Sequence, residues 1–122
     1  RAVQEKGGYE PRATLLAAFD VLDEWFNLPE YRGCLFDLAC AEFPSPQDPV
    51  HCAAASHFGL AAEELAKIAT AAGVDDPAAL AREWIQLMQG ATVSRMVGGA
   101  NDAARGIAEQ VLTRRLGAER AT

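Results

Sequence analysis

From Pro11 onward the apolar positions Leu15, Phe19, Leu22 and Phe26 follow at steps of four, three and four, which is one stripe of a helix. Gly7, Gly8 and Pro11 punctuate its start. Asn27 and Pro29 end it near residue 27, because the residue before a proline is pushed out of the α region. A second, shorter helix is predicted over roughly residues 33 to 42. Pro44, Pro46 and Pro49 then force a rigid loop, and Asp48 before Pro49 suits an N-cap and first helical position. The third helix carries Ala54, His57/Phe58, Ala61, Leu65, Ile68 and Ala72 on one side until Gly73, the expected C-cap. Asp75 or Asp76 with Pro77 repeats the start signal for a fourth helix, with Leu80, Trp84, Leu87 and Ala91 on one face, running to about Val97. Gly98 and Gly99 break it. Asn101 or Asp102 caps a fifth helix through Ala104, Ile107/Ala108, Val111/Leu112 and Arg115, ending at Gly117 with a frayed tail. No stretch makes a convincing strand. Residues 1–122 therefore read as one all-α domain of five helices joined by short turns that favour antiparallel neighbours.

Composition agrees with the pattern. Of 122 residues 25 are alanine and 12 leucine, against seven valines and three isoleucines, so helix formers supply most of the apolar half. The net charge of -6 is uneven: residues 1–49 carry -5, residues 50–98 carry -2 and residues 99–122 carry +1. No segment clusters Lys and Arg as a run of phosphate contacts needs, so these residues alone are expected to bind nucleic acid poorly. Asp20, Asp23, Glu24, Glu30 and Asp37 read as a solvated acidic face. The apolar runs are too short for a membrane span and no signal peptide opens the chain, which leads to the expectation of a cytoplasmic protein with no membrane partner. Three cysteines without secretory features suggest reduced thiols rather than a disulfide framework. Because the first residue is Arg1 and not Met, a longer parent chain is expected.

The last two helices carry more apolar surface than one core explains. On the fourth, Met88, Gly90, Ala91, Thr92, Ser94 and Val97 extend small and apolar residues around most of the girth. Gly90 in mid-helix costs about 1 kcal/mol relative to alanine, which hints at a neighbouring backbone passing close. On the fifth, Ala104, Ile107, Ala108, Val111 and Leu112 form a broad stripe. Two such helices meeting their symmetry mates would make a four-helix-bundle interface in a homodimer; ordinary core packing in a monomer is the plainer alternative.

The run Tyr31-Arg32-Gly33-Cys34-Leu35-Phe36, then Ala41-Glu42-Phe43-Pro44 with Pro49-Val50-His51, then Gly90-Ala91, resembles the C-terminal domain of tetracycline-repressor-like (TetR) transcriptional regulators. The likeness covers about residues 11 to 116. It implies that a helical domain binds a small-molecule effector and pairs two subunits, while a separate N-terminal helix-turn-helix domain binds DNA. No basic helix-turn-helix pattern precedes Pro11, so DNA would be met only through that missing domain. The resemblance puts the dimer bundle on the fourth and fifth helices and the pocket among the first four. An effector that prefers one spacing of the subunits would then bias the DNA-binding heads.

Phe19, Phe36, Cys40, His57, Phe58 and Trp84 are the candidate pocket residues. Aromatic walls with a few polar groups are what a small-molecule cavity uses, and core packing is the plainer role for each. Other chemistry finds little support. His51 and His57 stand about 120 degrees apart on a helix of 3.6 residues per turn, not the spacing of a helical metal pair. Cys40, Cys52 and His51 match no standard ligand pattern. A cysteine nucleophile using Cys34, Cys40 or Cys52 with His57, or a redox pair of Cys40 and Cys52, lacks any sequence sign of an activating environment. The sequence therefore predicts no enzyme, no cofactor and no metal. It predicts an effector-binding and dimerisation domain of a repressor with a small apolar or aromatic ligand. The alternative is a helical homodimeric interaction module with no ligand.

Overall fold

The computed structural model describes residues 10–29, 34–99 and 102–120, the side chains of residues 35 and 118–120 excepted. Gly7, Gly8, Glu30, the Tyr31-Arg32-Gly33 part of the family-like run and the proposed cap Asn101 lie outside them. The described residues form five helices and no strand: α1 Pro11–Phe26, α2 Leu35–Glu42, α3 Pro49–Ala71, α4 Pro77–Met96 and α5 Ala103–Arg120.

The helix starts follow the cap-then-proline logic. Asp48 accepts from the Val50 N–H at 2.8 Å and Asp76 from the Ala79 N–H at 3.2 Å, each just before a proline that has no donor to leave unpaired. Glu10 caps α1 in the same way, accepting from the Arg12 and Ala13 N–H groups, a cap not anticipated from the sequence. Gly73 and Gly98 close α3 and α4. Both have positive φ, and the next residues return N–H bonds, Val74 to the Ala69 carbonyl and Gly99 to the Ser94 carbonyl. This is the Schellman arrangement, in which only glycine takes the left-handed position without strain. At the other boundary the expectation is corrected: α5 does not stop at Gly117 but continues to Arg120. A single glycine inside a helix is tolerated, and Ala118, Glu119 and Arg120 are good helix formers.

α1 is the central element, packed against α3, α4 and α5. Its predicted stripe of Leu15, Phe19, Leu22 and Phe26 is buried, and Thr14, Ala17, Ala18 and Val21 are buried too, because three neighbours surround it. The main core joins Leu15, Phe19, Leu65, Ala69, Leu80, Trp84, Ala108 and Leu112. Trp84 is wholly buried, sits edge-on to Phe19 at 5.6 Å between ring centroids, and donates its indole N–H to the Leu15 carbonyl at 2.8 Å. Arg95 of α4 donates to the Phe26 carbonyl at 3.0 Å, where a cation meets the negative end of α1. Asp20, read as part of a solvated face, is paired to Arg105 of α5 at 3.1 Å.

α2 differs from the rest. It packs mainly on α3, and none of its described side chains is fully buried. The proline loop behind it is fastened from α3: the His51 ring nitrogen Nδ1 lies 2.7 Å from the Phe43 carbonyl, and the Cys52 thiol donates to the Pro46 carbonyl at 3.2 Å. Both residues thus hold a loop.

Candidate functional site

Beneath α2 the helices leave a cavity of about 360 Å³, within the range of small-ligand sites though at its low end. Its walls come from the first four helical elements: Leu22 and Trp25 of α1, Cys34, Phe36 and Asp37 at the start of α2, His57, Phe58 and Ala61 of α3, and Ile85, Met88, Gln89 and Thr92 of α4. The lining is mostly apolar. The reason lies in α2: an eight-residue helix docked on one neighbour does not fill the space between α1, α3 and α4.

Three of the six pocket candidates stand together here. The Phe36 and His57 rings stack flat, 3.7 Å between centroids and 7° between planes, and Phe58 stands edge-on to both. The other three do not line this cavity. Phe19 and Trp84 belong to the main core, where the Trp84 indole N–H is already satisfied, and Cys40 sits further along α2. Helical periodicity marks the inward side of a helix but does not say whether that side meets a neighbour or a gap, and Phe19 and Trp84 meet neighbours.

Several wall residues escaped the sequence reading. Asp37, taken for a solvated acid, is half-buried and accepts from Gln89 Nε2 of α4 at 3.0 Å. Met88, expected at a subunit interface, turns toward the cavity, and the Thr92 hydroxyl donates to the Met88 carbonyl at 2.9 Å. Trp25, outside the predicted stripe of α1, is half exposed on the wall. Met88, Gln89 and Thr92 lie at spacings of one and three along one helix, and that inward polar pair was the one available signal.

Cys34 opens the cavity at the cap of α2. Burial pushes its thiol above the ordinary range, opposed by the backbone N–H groups of Asp37 and Phe36 and reinforced by the Asp37 charge. All three cysteines are free. With a neutral alkylating reagent at pH 7, exposed Cys52 should therefore react about tenfold faster than Cys34, and the Cys34 rate should keep rising at more alkaline pH as thiolate forms. Peptide mass spectrometry over a time course reads both, and the reverse order would contradict the burial of Cys34. Among the described residues no group of three or more His, Cys, Asp or Glu side chains is placed to hold a metal ion. No helix among them is long and apolar enough to cross a membrane.

The expected interface residues divide. Ala91, Ala108, Val111 and Leu112 are largely buried in this chain's own core, although Ala91 still lines the groove between α4 and α5. Gly90, Val97 and Ile107 are exposed and Ser94 and Ala104 half-buried, and most of these border a shallow groove between α4 and α5. No backbone passes close to Gly90 within the chain: nothing lies within 4 Å of where a Cβ would stand.

No family model matches the chain. The helix-turn-helix-type transcriptional regulators YjdC of Escherichia coli K12 and of Shigella flexneri are 32% identical to it over 101 residues, 80% of this chain and 53% of theirs. The chain thus spans about half the length of the curated relatives it matches. Among solved structures, SCO4454, a TetR-family transcriptional regulator from Streptomyces coelicolor, superposes with a TM-score of 0.78 at 23% identity, over 93% of this chain and 61% of that one. The chain thus shares its fold with a TetR-family transcriptional regulator and sequence kinship with helix-turn-helix-type transcriptional regulators.

Proposed function

We propose that the chain is the effector-binding and pairing domain of a TetR-family transcriptional regulator, and that it acts by binding rather than by catalysis. The observation that carries the reading is the largely apolar cavity walled by α1 to α4, with Phe36, His57 and Phe58 grouped on one side. A small apolar or aromatic effector fits such walls. In this reading DNA is met by a head outside these 122 residues. The outer groove of α4 and α5, bordered by Leu87, Gly90, Ser94, Ala103 and Ile107, is the surface offered to a second subunit. α4 then has the effector on one side and the twin on the other, so an occupant that prefers one tilt of α4 biases the spacing of the two subunits by its differential affinity.

The test is a thermal-shift screen of hydrophobic and aromatic compounds. At ligand concentrations 100 times the dissociation constant a binder stabilises the fold by about 2.7 kcal/mol, so at least one compound should raise the melting temperature by several degrees. A wholly silent screen would favour a dimerising module with no small-molecule ligand.

A further inference from the structure

Resting on that reading, the structure assigns the cavity to a lipophilic organic cation, an aromatic body carrying a protonated amine. The argument is one of charge and of donors against acceptors. Asp37 is the one lining residue of fixed charge among those described, and neither lysine nor arginine joins it. Its hydrogen bond from Gln89 fixes the carboxylate in place without neutralising it, since an amide carries no charge. Having turned its nitrogen to Asp37, Gln89 keeps its carbonyl oxygen as an acceptor. The Thr92 hydroxyl has committed its proton to the Met88 carbonyl, which leaves lone pairs on its oxygen. Arg95, on the next turn of α4, directs its guanidinium to the Phe26 carbonyl rather than to Asp37. His57, the lining side chain able to take a proton, lies flat on Phe36 as part of the aromatic wall.

The polar side of the cavity is therefore negative and rich in acceptors, and Trp25, Phe36 and Phe58 add aromatic rings, whose faces attract a cation. A carboxylate-bearing guest would meet Asp37 with no fixed counter-charge among the described lining residues, whereas an ammonium group meets a carboxylate, spare acceptors and rings. Asp37 does stand in the first turn of α2, where the helix dipole alone favours an acid. The dipole does not account for the reach of Gln89 across from α4, which turns the carboxylate into a wall of the cavity.

Three probes with one body separate the possibilities: naphthylethylamine, naphthylethanol and naphthylacetate, titrated calorimetrically into the protein at low salt. The amine should bind at least about tenfold more tightly than the alcohol, and the acetate more weakly than the alcohol. In Asp37→Asn the amine should keep less than about a twofold advantage. If that variant folds poorly, Gln89→Lys serves instead, because it sets a cation beside Asp37 and should likewise abolish the amine's advantage. Equal binding of amine and alcohol, or tightest binding of the acetate, would overturn the cation assignment and leave the cavity as a site for apolar compounds. Retention of the tenfold preference in both variants would overturn the role of Asp37. Silence from all three probes would overturn the cation assignment, while the broader ligand reading would still stand or fall on the thermal-shift screen.

Discussion

Trp84→Ala should cost about 3–5 kcal/mol of folding free energy, the range for deleting a wholly buried large aromatic side chain. Three losses combine. The indole leaves a void where α1, α3 and α4 meet in the main core. The edge-on contact with Phe19 disappears. The Leu15 carbonyl loses the indole N–H at 2.8 Å. Since a domain of this size has about 5–15 kcal/mol in total, the variant should be partly unfolded at 37 °C. Trp84→Phe separates the parts: it keeps most of the packing and loses the hydrogen bond, so about 1–2 kcal/mol is expected. Urea unfolding of the three proteins is the measurement. A Trp84→Ala loss below about 1 kcal/mol would mean that Trp84 is not the centre of the core.

The second large effect concerns association. The unaltered protein should scatter light as a dimer at micromolar concentration, and Gly90→Trp should scatter as a monomer, with the dissociation constant raised at least about a hundredfold. In a two-fold symmetric pair each substitution acts twice, once on each side of the contact. The absence of any atom within 4 Å of a Cβ at Gly90 makes the experiment selective. The Cβ of the new side chain meets no other element of its own subunit, and tryptophan replaces the poorest helix former short of proline, so helicity by circular dichroism should be unchanged. Undiminished association in the variant, or a strictly monomeric unaltered protein, would remove the α4/α5 groove from the account of pairing.

The sequence disclosed the helices more fully than the cavity, for a physical reason. Caps and breaks are local: Asp48 with Pro49, Asp76 with Pro77, Gly73 and Gly98 each act on backbone groups a few residues away. The sequence pattern therefore locates four of the five helix starts and the ends of α3 and α4. Gly117 misled because a glycine signals a helix end only when it takes the left-handed conformation itself, as Gly73 and Gly98 do and Gly117 does not. The cavity is made by what is missing between helices, which no periodicity records. Phe36, His57 and Phe58 were legible because they are aromatic and lie on facing helices. Asp37 was not, because a carboxylate three residues into a helix looks the same whether its partner is water or Gln89 of a helix 52 positions later. Likewise Ala108 and Ile107 are neighbours in one greasy stripe, yet one is wholly buried in the subunit and the other nearly half exposed.

The shallow seating of α2 bears on how quickly an occupant comes and goes. With no described side chain fully buried and its main support on α3, this roof can lift by breaking few contacts, while Trp84, Leu80 and Leu15 stay in place. Exchange of a bound molecule would then draw on local opening, at a fraction of the free energy of whole-domain unfolding. If the cavity takes the proposed effector, residence time and melting temperature are set by different parts of the molecule, and each can be altered by mutation without the other.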